Sequence, residues 1–313
     1  MTGTLFILFA TFFWALDTLI RYPLLEVGLT PIQIVLTEHL ILVGCLTLWL
    51  SLRRERIWAF VRKDWPALIV VGGLGSAIGT LAFTEAFSYM NPTLVILLQK
   101  LQPIVAISLA AIVLKERIPV SFVLCLLLAL LGSFLLMYED IAQLLNASGW
   151  HYSSEVSRRA IGYCLALVAV VSWGASTVFG KKLALSGYSS GQIMNGRFLV
   201  GLIVLLPFFA LQSPFEMAIT PSLAIKITLM VFVSGVLGMV LYYQGLARVQ
   251  SKHSAIAEMG FPIMAGLINW FALGFTLSIP QMTGGLLLIV ASFAVHFPFR
   301  DRSDTNRLVS NPA

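Results

Sequence analysis

The chain has 313 residues, 58% of them apolar and only 11% charged, with a mean hydropathy of +0.92. So little charge over such a length excludes an ordinary soluble domain and describes an integral membrane protein. The formal charge of +6 points to nucleic acid on its total alone, but the Lys and Arg collect on alternate joints between apolar runs, which excludes that partner.

Ten apolar runs of about 20 residues follow one another, each long enough to cross a hydrocarbon core of roughly 30 Å. They cover residues 4–22, 31–52, 66–88, 92–114, 118–138, 159–180, 190–211, 223–247, 253–273 and 278–298. The expected fold is therefore all-α, with ten transmembrane helices. The first run has no basic segment before it and is too long for a cleaved signal peptide, so it is expected to stay in the mature chain. Cys45, Cys125 and Cys164 lie inside runs, without metal-ligand spacing, and read as packing residues. No zinc, phosphate-loop or nucleophile motif occurs, so neither an enzyme nor a cofactor is expected.

Polar residues inside the runs are the candidate functional groups. A charge at the bilayer centre costs at least about 2.5 to 3.5 kcal/mol, so such residues face the bundle interior and mark either a pathway or a structural ion pair. On the first run Trp14, Asp17, Thr18 and Arg21 fall at i, i+3, i+4 and i+7, one helix face. The second run carries Glu38 and His39, and the third carries Glu85 together with the small residues Gly72, Gly73, Gly75, Ser76 and Gly79. Small faces let helices approach closely in lipid.

The fourth run contains the stretch ILLQKLQPIV, Ile96 to Val105. Gln99 and Gln102 share a face, Lys100 lies between them, and Pro103 cannot donate to the carbonyl of Gln99. Broken helices at membrane depth are tolerated where they line a cavity, so this stretch reads as one wall of a substrate pocket; a kink that only improves packing is the alternative. Trp173, Ser176 and Thr177 mark the sixth run, Arg197 the seventh, and Gly235, Gly238, Tyr242, Tyr243 and Gln244 the eighth. On the ninth, Pro262 stands to Glu258 as Pro103 stands to Gln99.

A shift of 159 residues lays the second half on the first without a gap. Trp14 falls on Trp173, Gln33 on Gln192, Leu40 on Leu199, Gly79 on Gly238, Pro103 on Pro262 and Ser133 on Ser292. Each half then holds five spans, and an odd number turns the halves over relative to each other, the inverted-repeat plan of many secondary transporters. The expected divisions are a first repeat over 1–138, an extracytoplasmic linker over 139–158, a second repeat over 159–299 and a cytoplasmic tail over 300–313. Fourteen Lys and Arg fall on one set of joints and four on the other, which places both termini in the cytoplasm and the chain in the inner membrane.

The opening FFWALDTLIRYPL with its echo VSWGASTVFGKKL, the VLKERIP joint, the mid-helix prolines and IPQMTGGLLLIVAS together resemble the ten-helix EamA type of the drug/metabolite transporter superfamily. The resemblance implies a central cavity enclosed by helices one, three, four, six, eight and nine, and export of amino acids or related metabolites by alternating access. The substrate-binding candidates are Trp14, Asp17, Glu85, Gln99, Lys100, Gln102, Trp173, Thr177, Tyr243, Gln244 and Glu258. Glu38, Arg197, Pro103 and Pro262 are candidates for gating or coupling. Counting depth along each helix groups Lys100 with Asp17, Glu38 and Glu85, and Arg197 with Glu258, as two polar clusters at opposite depths. The expected partners are a small-molecule substrate and the bilayer, with a coupled proton and a second copy of the chain left open. A channel for small polar solutes, or an importer or exchanger of a cationic or nucleoside-type metabolite, is the rival reading.

Overall fold

A computed structural model describes residues 2–113, 121–139, 141–142, 154–211, 220–246 and 260–294. These residues are helical, with no strand among them. We number the helices α1 Thr2–Glu26, α2 Pro31–Leu52, α3 Trp65–Ile69 with its continuations Val70–Ile78 and Gly79–Ala86, and α4 Pro92–Leu98 continued by Gln99–Leu101 and Gln102–Val113. After them come α5 Ser121–Leu136, α6 Ser154–Leu185, α7 Ser190–Ala210, and α8 Pro221–Met230 continued by Val231–Leu237 and Gly238–Leu246. The last are α9 Gly260–Leu273 and α10 Ile279–Ala294.

Among the described residues, seven of these are long and apolar enough to cross a membrane, and α5, α9 and α10 are shorter apolar helices. Helices suit this setting because every interior backbone group is satisfied within its own segment. The outer surface of the bundle is correspondingly greasy: Leu124, Leu127 and Leu131 on α5 and Phe271 on α9 are exposed, as expected of side chains that meet lipid tails.

The two halves solve the same local problems in the same way. Gly28 and Gly187, 159 residues apart, take φ +96° and +93° in the turns after α1 and α6, a left-handed conformation that costs glycine nothing. Two residues on, Thr30 and Ser189 cap α2 and α7. Thr30 Oγ1 accepts from the Gln33 backbone N–H and Gln33 Oε1 accepts from the Thr30 N–H at 2.9 Å; Ser189 and Gln192 repeat both bonds. Two amide donors that the helix start would leave open are thereby satisfied without water. In α3 and α8 the backbone relaxes to π-helical geometry over Val70–Ile78 and Val231–Leu237, again at matching places.

Packing between the halves is reciprocal. The indole of Trp14 on α1 lies against Gly238 on α8, where a Cβ would come within 2.7 Å of Nε1; Trp173 on α6 lies against Gly79 on α3, where the same distance is 2.9 Å. Residues 14 and 173, and 79 and 238, are the 159-shifted pairs. Each indole also meets an aromatic ring of the opposite half at 5.2 Å, Trp14 with Tyr242 and Trp173 with Phe83. The helices α2 and α7 cross antiparallel: moving from His39 through Thr47 to Leu50 on one, the neighbours on the other are Gly201, Asn195 and Gly191. At this crossing the rings of His39 and Phe198, themselves 159 apart, sit 5.3 Å from each other.

At one end of the bundle polar and aromatic contacts link α1, α3, α4, α6 and the turn after α9. Asn91 Nδ2 donates to the Thr276 carbonyl at 3.3 Å, Asn269 Nδ2 to Thr93 Oγ1 at 3.1 Å, and Arg158 Nη2 to the Ser88 carbonyl at 3.1 Å. The Tyr22 and Phe275 rings meet edge to face at 5.0 Å.

Candidate functional site

Arg21 is the hub of the buried polar groups. It sits one helical turn past Asp17, and its Nε and Nη2 grip both oxygens of that carboxylate. Nη2 also donates to Glu38 Oε2 on α2 at 3.0 Å and Nη1 to Thr84 Oγ1 on α3 at 3.1 Å. From the other half, Ser234 Oγ on α8 donates to Asp17 Oδ1 at 2.7 Å. The planar fork of guanidinium suits this arrangement, since its donors reach several acceptors in fixed directions. Arg197 of α7 is also among the charges that act on Glu38. His39, next to Glu38, is fully buried and engaged: its Nδ1–H donates to the Val35 carbonyl at 2.8 Å and Nε2 meets Ser76 Oγ of α3 at 2.9 Å.

A second group links α1, α3, α4, α6 and α9. Trp173 contacts Phe83; Phe83 packs with Phe261 around Ala15, Ile96 and Ala265; and Lys100 Nζ stands 5.5 Å from the centre of the Phe261 ring. Gln102 Nε2 donates to Thr177 Oγ1 at 3.4 Å, and that hydroxyl donates to the Trp173 carbonyl. Rings from α3, α6 and α9 thus lie close to the amide-bearing part of α4. Gln99 Nε2 is buried there and has no acceptor among the described residues.

Several expectations change on this geometry. The depth-based cluster joining Lys100 to the acids is replaced, for Asp17 and Glu38, by the network around Arg21. The physical reason is distance: an i, i+4 guanidinium on the same helix reaches Asp17 while α1 packs beside α2 and α3. In the sequence the shared face of Asp17 and Arg21, four residues apart, is the signal for this pair. The Gln99 carbonyl is not left free by Pro103 either. Gln99–Leu101 tightens into a 3₁₀ turn, and the Gln102 N–H donates to the Gln99 oxygen, so the break is repaired locally. Glu85 is half-buried on α3 and makes no ion pair among the described residues. Pro262 is buried in the first described turn of α9. Glu258 and the side chains of Pro103, Tyr243 and Gln244 lie outside the described residues.

The model of the EamA-like transporter family matches residues 1–138 and 160–297. The chain belongs to the EamA-like transporter family. It is a multi-pass membrane protein, and the relatives it resembles are named as transporters. It is 28% identical over 298 residues to the riboflavin transporter ImpX of Fusobacterium nucleatum, covering 92% of this chain and 95% of that one. It is 25% identical to a probable amino-acid metabolite efflux pump of Salmonella typhimurium, covering 79% and 82% of the two chains. A solved crystal structure shares the fold with a TM-score of 0.59 at 16% identity, covering 99% of both chains.

Proposed function

We propose that this EamA-family member is a secondary active transporter of a small organic metabolite, working by alternating access between two inverted five-helix repeats. The repeats cover 1–138 and 159–299, joined by an extracytoplasmic linker over 139–158, with the tail from 300 in the cytoplasm of an inner-membrane protein. The observation that carries the reading is the reciprocity of the inter-half contacts. When each Trp rests on a Gly and an aromatic ring of the other half, exchanging the conformations of the two halves gives a second arrangement with similar packing, which is what alternating access requires. The antiparallel crossing of α2 and α7 supports inversion, and the contacts at the Asn91–Thr276 end support a state closed there.

One chain supplies both halves of the pathway, so a second copy is not needed to complete it. A channel is the less favoured reading, because an inverted-repeat plan with reciprocal contacts between its halves favours alternating access. For the substrate, the relatives' names span a riboflavin transporter and an amino-acid metabolite efflux pump. The family resemblance suggests export of amino acids or related metabolites, with a proton as candidate coupling ion. Purified protein in liposomes decides between carrier and channel: saturable uptake accelerated by substrate on the opposite side is expected, and flux linear in the gradient without such counterflow overturns the proposal.

A further inference from the structure

The connection between α2 and α3 faces two ways. Since α2 has 22 residues and is about 33 Å long at 1.5 Å per residue, it matches a hydrocarbon core of roughly 30 Å, and residues 53–64 run at headgroup depth. Both acids of this segment turn toward the second half. Asp64 is buried and accepts from Tyr188 Oη at 2.7 Å and from Ser186 Oγ at 3.4 Å, while Glu55 Oε2 accepts from Ser189 Oγ at 2.8 Å. Gln192 Nε2 and Asn195 Nδ2 donate to the carbonyls of Arg56 and Ile57, and Phe60 is buried against the Tyr188 ring. The basic residues do the opposite: Arg53, Arg54, Arg56, Arg62 and Lys63 are all exposed, and among the described residues none of them forms an ion pair. Ile57, Trp58 and Val61 are exposed between them, and Arg53 lies 4.7 Å from the centre of the exposed Trp49 ring.

We infer that residues 53–63 are a docking site for the headgroups of anionic phospholipids. Membrane insertion accounts for the number of cations on this joint, but not for their arrangement. Glu55 stands between Arg54 and Arg56 in the chain, where a solvated segment would let it offset them; instead it is bonded to Ser189, and Asp64 is bonded to Tyr188. With both carboxylates engaged by the second half, the exposed side presents cations interleaved with indole and aliphatic groups. Indoles settle at the bilayer interface, and long basic side chains reach from its edge to the phosphates. Each Lys or Arg close to an anionic surface strengthens binding by about fivefold, so a cluster of this size commits the segment to acidic lipid rather than to a neutral headgroup. The feature belongs to one leaflet: a shift of 159 lays residues 53–63 on 212–222, QSPFEMAITPS, which holds neither Lys nor Arg. In the proposed orientation that leaflet is the cytoplasmic one.

The test titrates the purified full chain in detergent with phosphatidylglycerol and, separately, with phosphatidylcholine, and counts the retained lipid by native mass spectrometry. Phosphatidylglycerol should be retained in preference by at least about tenfold, and the combined variant Arg53→Gln, Arg54→Gln, Arg56→Gln should lose at least about tenfold of that affinity. Arg53→Lys, Arg54→Lys, Arg56→Lys keeps the charge and should stay within about threefold of wild type, which separates lost charge from misfolding. Arg300→Gln, Arg302→Gln, Arg307→Gln removes as many charges from the tail and should also stay within about threefold. Inorganic phosphate should displace no more lipid than sodium chloride of the same ionic strength. Equal retention of the two lipids, equal losses in the strap and tail variants, equal losses in the Gln and Lys variants, or displacement by inorganic phosphate overturns the inference. Because the readout is lipid retention, its failure leaves the transport reading standing, and failure of counterflow in liposomes leaves this one standing.

Discussion

Arg21 is held by two carboxylates and a hydroxyl on three helices, and such a residue cannot be removed without exposing what it neutralises. Breaking a buried ion pair from one side costs about 3–5 kcal/mol, whereas exchanging the whole set for neutral groups is often harmless. Arg21→Met should therefore lower the melting temperature of the purified protein sharply, and Asp17→Asn with Glu38→Gln in the same background should restore much of it. No restoration would mean that the network does not act as a unit. Glycines give a second contrast. A Cβ at Gly79 would lie 2.9 Å from Trp173 Nε1, while at Gly73 its nearest neighbour is a Val204 methyl at 3.4 Å. Gly79→Ala should shift the tryptophan emission and Gly73→Ala should not; equal spectra would show that the indole has room to move. The role of Arg21 was hard to see in the sequence because depth can be counted along one helix, but partners belong to several.

At the scale of the helix, local chemistry is legible and its purpose is not. The identity of Gln33 with Gln192 is visible in the shifted alignment; that both complete a capping box becomes clear only when the backbone bonds are placed. Thr30→Ala should cost about 1 kcal/mol, the usual value of an N-cap, read as a lowered melting midpoint; no change would mean that the tertiary contacts alone hold the turn. The break in α4 is similar. Proline at 103 announces an interrupted ladder, but the interruption is absorbed as a 3₁₀ turn at Gln99–Leu101, where the Gln99 carbonyl accepts from the Gln102 N–H. Pro103→Ala should leave insertion and yield unchanged and slow transport, because a regular helix would turn the Gln99–Gln102 face. Transport at the wild-type rate would reduce the proline to a packing residue.

At the scale of the whole molecule, the helix positions follow closely from run length and hydropathy: the run 31–52 is the helix Pro31–Leu52, and the run 190–211 is Ser190–Ala210. What hydropathy lacks is which helix meets which, because lipid-facing and partner-facing apolar residues look alike in composition. The contact between Asn91 and the Thr276 carbonyl offers the test. With the native cysteines replaced, cysteines at Asn91 and Thr276 joined by a short crosslinker should stop transport, and cleaving the linker should restore it. Unimpaired flux in the crosslinked protein would show that this end does not open.

The placement of Glu38 and Arg197 has a consequence for ancestry. Reciprocal contacts of the kind made by Trp14 and Trp173 are those two copies of one five-helix protein would make if they met in opposite orientations. A doubled first half would bring Glu38 toward its own copy beside the His39–Phe198 crossing, and a doubled second half would bring Arg197 toward its copy. Only the joined chain sets one sign against the other. Opposite charges at this one repeated position are something only a chain that carries both halves can have.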